Sequence, residues 1–235
     1  MIGPEHAVDS LRTAGWVLAD DTSLRGRRDD ELLDSWSRLP PDLYLKDGGR
    51  YRFRRHASAI VTPGSGAIER VPHRPHWQPT SYNALHGGIR RWFEPIEDSL
   101  WRHPALQSLI TTLARSFAEA EPQPVDCWFV EAHQFRIDAT SGIGKPTPEG
   151  AHRDGVDFVA VVLMSRTGVA GGESAVRALD GSLLAQTTLA EPFTALLMND
   201  RRVMHETTPI VGTGPVAHRD TLVLTYRSQG FLDPE

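Results

Sequence analysis

The second half of the chain is the feature that most limits the possible folds. From residue 125 onward, short apolar segments are separated by Gly, Pro, Asn and Asp residues. The segments are VDCWFVEAHQFRI, DFVAVVLMS, ESAVRAL, SLLAQTTL, FTALLMN, VMHETTPI and DTLVLTYRS. Many short strands at turn-punctuated intervals are typical of a β-sandwich or a β-barrel. We therefore expect a β core over residues 125–228.

The first half has a different character, because helical patterns alternate there with one strand-like stretch, YRFRRHASAIV. The helical patterns cover residues 6–14, 29–39 and 96–119. Neither an internal repeat nor a linker divides the two halves. We therefore expect a single domain over residues 1–235, in which the helical and mixed region 1–120 supports the β core.

Composition excludes several classes of protein. Hydrophobic residues make up 40% of the 235 residues and charged residues 23%, as in an ordinary globular protein. The net charge is −5 and the basic residues are dispersed, so we expect no nucleic-acid groove. No apolar run approaches membrane-spanning length, so we expect no membrane association. Cys127 is the single cysteine, which excludes an internal disulfide and agrees with a cytoplasmic location.

A His-x-Asp tripeptide lies where the segment PTPEG leads into an apolar run. In an extended chain, residues i and i+2 point to the same side, so His152 and Asp154 can share one ion. The tripeptide alone is weak evidence in a chain with ten histidines. The interpretation therefore depends on a third ligand elsewhere in the chain.

His205, in the segment RRVMHETTP, supplies that third ligand. Two histidines and a carboxylate occupy one face of an octahedral iron(II) and leave three positions open for reactants. A closed zinc site would need four protein ligands, usually including cysteine. A second His-Arg-Asp, at residues 218–220, has no histidine after it. The sequence therefore favours His152, Asp154 and His205 as an open metal site.

Arg219 opens the strand-like segment RDTLVLTYR. Alternation along a strand places Arg219 and Thr221 on the same face. A planar guanidinium binds a carboxylate through two parallel hydrogen bonds, and a neighbouring hydroxyl can add another. A salt bridge at the surface or at a strand edge is the alternative role for this arginine.

The set His152-x-Asp154, His205 and Arg219-x-Thr221 resembles the iron(II)- and 2-oxoglutarate-dependent dioxygenases. The segments VEAHQFRI, PTPEGAHRDGVDF, GGES and HRDTLVLTYR are similar to the bacterial branch of the L-isoleucine dioxygenase type, whose better-known members hydroxylate free aliphatic L-amino acids. YRFRR and YNALHGGIRRWFEP are also similar, so the resemblance covers most of residues 50–228. Residues 1–50 depart from it, which leaves the entrance to the pocket without an interpretation.

The resemblance implies a mainly β fold with flanking helices, namely a double-stranded β-helix (a cupin-like jelly roll). It implies that His152, Asp154 and His205 bind Fe(II), and that Arg219, with Thr221 beside it, binds 2-oxoglutarate. The implied reaction uses O2 to hydroxylate an unactivated C–H bond of a small substrate, a free L-amino acid, while 2-oxoglutarate becomes succinate and CO2. Three alternatives stay open: a cupin-type metal enzyme without 2-oxoglutarate, a 2-oxoglutarate enzyme that desaturates or cyclises its substrate, and a non-catalytic barrel.

An amino-acid substrate needs a cation for its carboxylate and an acceptor for its ammonium group. The candidates in the family-like segments are Arg54, Arg55, Gln78, Asn83, Arg90, Glu131 and His133. Solvation at the surface is the alternative role for each arginine. Hydrogen bonding inside the barrel is the alternative for Glu131 and His133. The sequence does not indicate an oligomeric state.

Overall fold

The computed structural model describes residues 4–20, 30–83 and 85–234 and is mostly β, with 40% strand and 17% helix. The strands are β1 Trp16–Asp20, β2 Arg52–Thr62, β3 Ala67–Arg70, β4 Trp128–Asp138, β5 Ile143–Gly144, β6 Phe158–Thr167, β7 Val169–Gly171, β8 Glu173–Ala178, β9 Leu183–Thr188, β10 Thr194–Asn199, β11 Val203–Thr207, β12 Ile210–Gly212 and β13 His218–Arg227. The helices are α1 Pro4–Thr13, α2 Asp30–Asp34, a 3₁₀ turn Ser35–Arg38, α3 Asp98–Trp101 and α4 Pro104–Ala120. The mainly β class is therefore confirmed.

The strands form one large and two small antiparallel sheets. The large sheet has seven strands in the order β1-β10-β6-β13-β4-β2-β3. The small sheets have the orders β11-β8-β9 and β5-β12-β7. Residues of the large sheet and of β11 line the same cavity. Two antiparallel layers around a cavity are the arrangement of a jelly roll, which confirms the expected double-stranded β-helix.

The outer face of the large sheet is covered by α4. Phe117 of α4 stacks on Phe158 of β6 with ring centroids 4.6 Å apart. The Tyr226 hydroxyl donates to the Ile110 carbonyl at 3.0 Å, and the Trp128 indole N–H donates to the Ala114 carbonyl at 2.9 Å. Each buried aromatic ring contributes about 1.5–3 kcal/mol from apolar area removed from water. This packing fixes which face of β4, β6 and β13 is left to line the cavity.

Two proline residues divide elements that the sequence pattern predicts as continuous. The helix expected over residues 96–119 is split into α3 and α4, because Pro104 starts a new helix whose N-cap, His103, accepts a hydrogen bond from the backbone N–H of Ala105. The segment VMHETTPI is split into β11 and β12 at Pro209, which has no N–H to donate to a ladder. Among the described helices, none combines the length and the apolar character needed to cross a membrane. The single domain over residues 1–235 stays a prediction.

Candidate active site

A cavity lies between the large sheet and β11. Arg219, Thr221, Val223 and Thr225 of β13 line one wall, so the alternation along this strand matches the sequence pattern. The opposite wall comes from β11 and from the segment that leads into β6. Leu222, Leu224 and Tyr226 of β13 point the other way and belong to the hydrophobic core.

Two backbone hydrogen bonds bring His152 next to His205. The His152 N–H donates to the His205 carbonyl at 3.0 Å, and the His205 N–H donates back to the His152 carbonyl at 2.9 Å. The two imidazole rings consequently lie 4.5 Å apart, centroid to centroid. A short antiparallel bridge thus joins two histidines that are distant in the sequence.

Asp154 completes the group. Its Oδ2 lies 3.2 Å from Nε2 of His205, and its Oδ1 lies 4.0 Å from Nε2 of His152. The Nδ1 of His152 is 2.9 Å from the Gly150 carbonyl, so Nδ1 carries the hydrogen and Nε2 is free to act as a ligand. The three side chains offer ligand atoms within 4.8 Å of one another, which is close enough to hold one metal ion.

The electrostatics of this group suit a cation. Burial raises the pKa of Asp154, but the hydrogen bond from His205 and the charges of both histidines outweigh burial and lower the pKa. The pKa of His205 is raised by Asp154 in spite of burial. A positive charge is therefore favoured between these side chains, whether a proton or a metal ion carries it.

Asp200, which the sequence analysis did not single out, holds the His-x-Asp segment in place. The backbone N–H groups of Asp154, Gly155 and Val156 donate to its carboxylate at 2.9, 2.8 and 3.1 Å. Burial and the neighbouring Asp154 raise the pKa of Asp200 to about 6. Gly155 has φ +81°, and a Cβ there would lie 2.5 Å from the ring of Tyr82, so this turn requires glycine.

Gln78 fixes the orientation of the Asp154 carboxylate. Its Nε2 donates to Oδ1 of Asp154 at 3.0 Å, which leaves Oδ2 facing His205. Second partners of this kind orient metal ligands and strengthen metal binding. Gln78 therefore acts on the metal group as well as lining the cavity.

Arg219 lies on the cavity wall and is 2% exposed. Within the described part of the chain, its Nε and Nη2 have no hydrogen-bond partner. The adjacent Asp220 is taken by Arg136, which donates to it at 2.7 and 2.8 Å. Burial and the nearby Arg166 lower the pKa of Arg219 to about 10. A buried guanidinium without a counter-ion is costly, so this position suits an anionic ligand.

The structure brings four of the seven candidate substrate residues to the cavity wall. Arg54, Gln78, Asn83 and His133 line it. Arg55 points away, since it donates to the Pro95 carbonyl at 3.0 Å and lies 3.5 Å from Glu97. Arg90 is exposed and is not part of the wall.

Glu131, the seventh candidate, lies behind the wall in a buried cluster with His56, His76 and His133. Its carboxylate is 3.2 Å from Nε2 of His56 and 2.9 Å from Nδ1 of His76. Burial lowers the pKa of all three histidines and so keeps them neutral. The rings of His56 and His133 are stacked 23° from parallel, a geometry that does not direct their nitrogens at one ion. We therefore interpret this cluster as a hydrogen-bonded support for the wall.

Three charged residues of the wall were missed by the sequence analysis: Arg52, Arg91 and Glu149. Alternation along β2 could have indicated Arg52, because it shares a face with Arg54. The sequence alone does not show which of the neighbours Arg90 and Arg91 faces the cavity. The orientation of Arg91 depends on a two-residue bridge in which the Arg91 and His76 backbones exchange hydrogen bonds of 2.9 and 3.0 Å.

A jelly roll with two histidines and a carboxylate on one wall of its cavity, and an unneutralised arginine on the opposite wall, defines the class of 2-oxoglutarate-dependent iron oxygenases. The chain belongs to the 2OG-Fe dioxygenase family, whose profile matches residues 33–225. It is therefore a 2-oxoglutarate-dependent oxygenase that uses Fe(II), 2-oxoglutarate and O2.

Solved structures share this fold. A bsmA homolog from Methylobium petroleophilum PM1 is 47% identical, with a TM-score of 0.92 over 99% of this chain and 96% of that one. IDO from Bacillus thuringiensis is 19% identical (TM-score 0.77, 98% and 97% covered). The Fe(II)/α-ketoglutarate-dependent dioxygenase TqaL is 16% identical (TM-score 0.71, 98% and 90% covered), and at these lower identities the likeness shows the fold alone. No curated protein sequence matches significantly.

Proposed function

We propose that this enzyme hydroxylates an unactivated C–H bond of a free L-amino acid. The observation that carries the proposal is that His152, Asp154, His205 and Arg219 line one and the same cavity. Family membership supports the use of 2-oxoglutarate, so a cupin-type enzyme without it and a non-catalytic barrel are set aside.

His152, Asp154 and His205 would hold the iron through Nε2, one carboxylate oxygen and Nε2. Three protein ligands would leave coordination positions open to the reactants. When bound, the iron would supply the oxidising power that inserts oxygen into a C–H bond. The chain orients the reactants and excludes water from the cavity.

Arg219 would bind the distal carboxylate of 2-oxoglutarate. Its two free donors match the two oxygens of a carboxylate, and the buried hydroxyl of Thr221 on the same wall adds a third donor. The Arg166 guanidinium, which adds to the positive potential at Arg219, favours the same anion.

The amino-acid substrate is supported by sequence segments similar to the L-isoleucine dioxygenase branch and by buried arginines on the cavity wall. The location in the cytoplasm, inferred from the single Cys127, is part of the same proposal.

Incubation of the purified protein with Fe(II), ascorbate, 2-oxoglutarate and each of the twenty free L-amino acids tests the proposal. We expect succinate together with a product heavier by one oxygen for at least one amino acid. A product lighter than the substrate by two hydrogens would show that the enzyme desaturates or cyclises its substrate and does not hydroxylate it. Succinate with no change in any amino acid would reject this substrate class.

A further inference from the structure

Two arginines on the cavity wall carry positive charge that the protein neutralises only in part. Arg54 is 3% exposed and Arg91 is 2% exposed. Among the residues that the structure describes, neither Nε atom has a hydrogen-bond partner. Both side chains face the cavity that contains the candidate metal ligands. Each therefore offers a buried N–H to whatever binds there.

The partners that these arginines do have leave a surplus of positive charge. Asp42 is 2.7 Å from Arg52 and 3.8 Å from Arg54, so two arginines share one carboxylate. Arg54 also donates to Nδ1 of His133 at 2.6 Å and lies 3.7 Å from the centre of the Phe93 ring. None of these contacts reaches Arg91.

Arg91 has an uncharged partner. Its Nη2 donates to Oε1 of Gln78 at 3.0 Å, and the amide of Gln78 in turn donates to Asp154. Burial lowers the pKa of Arg91 to about 10, as expected when the counter-ion is missing. An anion held by Arg91 would therefore lie only one side chain away from a metal ligand.

The same cavity contains an unneutralised negative charge. Glu149 has a side chain that is 12% exposed, and its Oε1 lies 3.7 Å from Nε2 of His152. Its Oε2 is buried and has no hydrogen-bond partner within the described ranges. The charge of Glu149 opposes the lowering of the Arg91 pKa by burial and adds to the raised pKa of His205, so Glu149 lies within electrostatic reach of both residues. No ion pair of 4.0 Å or less joins Glu149 to an arginine in the described chain.

We propose that Arg91 and Arg54 bind the α-carboxylate of the substrate and that Glu149 accepts a hydrogen bond from its α-ammonium group. This inference rests on the proposed function. A cavity with unmatched charges of both signs is complementary to a zwitterion, which would satisfy both Nε donors and the free Oε2. A simple carboxylic acid would leave Glu149 unpaired, and an amine would leave the arginines unpaired.

The test uses binding, so that it does not depend on turnover. The Fe(II)-loaded protein is titrated by calorimetry without oxygen, with and without 2-oxoglutarate, using each of the twenty free L-amino acids. The amino acid that binds most tightly is then compared with its des-amino acid and its decarboxylated amine. We expect each analogue to bind at least about thirtyfold more weakly, because each leaves one buried charge unpaired.

Two variants assign the contacts. Glu149→Gln should bind the amino acid and its des-amino analogue about equally. Arg91→Gln should bind the amino acid more weakly than the wild type does and should narrow the difference between the amino acid and its amine, because Arg54 alone then holds the carboxylate. Arg90→Gln is the matched control, because Arg90 is the exposed neighbour of Arg91 and should leave binding unchanged. Glu149→Gln should also keep the wild-type affinity for iron.

Several outcomes would overturn the inference. In the wild type, these are the absence of binding by any of the twenty amino acids, or binding of the analogues as tight as that of the amino acid. In the variants, they are wild-type affinities in both Glu149→Gln and Arg91→Gln. Loss of iron in Glu149→Gln would also overturn it, because Glu149 would then be a metal ligand. Failure of the proposed function is a separate result. It would show as no succinate formation even with a zwitterion bound.

Discussion

Replacement of Arg219 by alanine should strongly weaken the binding of 2-oxoglutarate and leave the binding of iron nearly unchanged. The guanidinium is buried, and two of its nitrogens have no partner in the described part of the protein. Loss of one partner from a buried charged pair costs about 2–5 kcal/mol, which corresponds to a rise of roughly thirtyfold to several thousandfold in the apparent KM for 2-oxoglutarate. Iron affinity should be nearly unchanged, because the ligand atoms belong to other residues.

Arg227 provides the matched control on the same strand. It lies eight residues further along, about 26 Å away at roughly 3.3 Å per residue, and its Nη1 donates to the carbonyls of Gln229 and Gly230 at 2.6 and 2.7 Å. Arg227→Ala should therefore keep the wild-type KM. Arg219→Lys should recover only part of the affinity, because an ammonium keeps the charge and loses the planar fork.

Steady-state succinate formation measures these constants, and thermal unfolding gives a second readout. A ligand that binds only the folded state raises Tm, so 2-oxoglutarate should stabilise the wild type and Arg227→Ala but not Arg219→Ala. If Arg219→Ala kept its affinity while Arg227→Ala lost it, the co-substrate would bind at the other end of β13. If neither variant lost affinity, the carboxylate site would lie elsewhere in the cavity.

Three further predictions concern the metal group and its support. His205→Ala should lose stoichiometric iron, measured by metal analysis after dialysis, and all turnover; full metal content would reject this ligand. Asp200→Asn should lower iron affinity about ten- to a hundredfold, because the amide has one acceptor oxygen where the carboxylate has two for the three backbone N–H groups. A competition titration measures this affinity. An unchanged affinity would show that Asp200 does not support iron binding. His133 is neutral when folded because its pKa is lowered, so its contribution to the free energy of unfolding is present above the ordinary histidine pKa of 6.5 and falls on acidification below it. Urea unfolding at pH 7 and pH 5 measures how much free energy of unfolding is lost on acidification. This loss should be smaller in His133→Gln than in the wild type, and an equal loss would contradict a neutral His133 in the folded state.

The sequence predicted the sheet better than it predicted the cavity wall. Alternation along a strand is a local property, so the side of β13 that carries Arg219 and Thr221 could be read directly. The division of one expected helix at Pro104 was also locally encoded, although hydrophobic periodicity alone continued through it. Both results depend only on neighbours in the chain.

The remaining parts of the site depend on long-range contacts. Arg91 rather than Arg90 faces the cavity because a backbone bridge to His76 sets the orientation. Asp200 binds three N–H groups that lie more than forty residues before it. A turn residue after a strand carries no local signal for such a role, so only the tertiary structure identifies it.

The backbone bridge between His152 and His205 closes a loop that contains strands β6 to β10. An ion held by both histidines would act as a cross-link that closes this loop in the folded protein, and because the site forms only in the folded state, the binding free energy of the ion would stabilise the fold. A chain with one cysteine has no internal disulfide to do this. Iron would then be a structural cross-link as well as a reactant, and chelation should expose the segment before β6 to proteases.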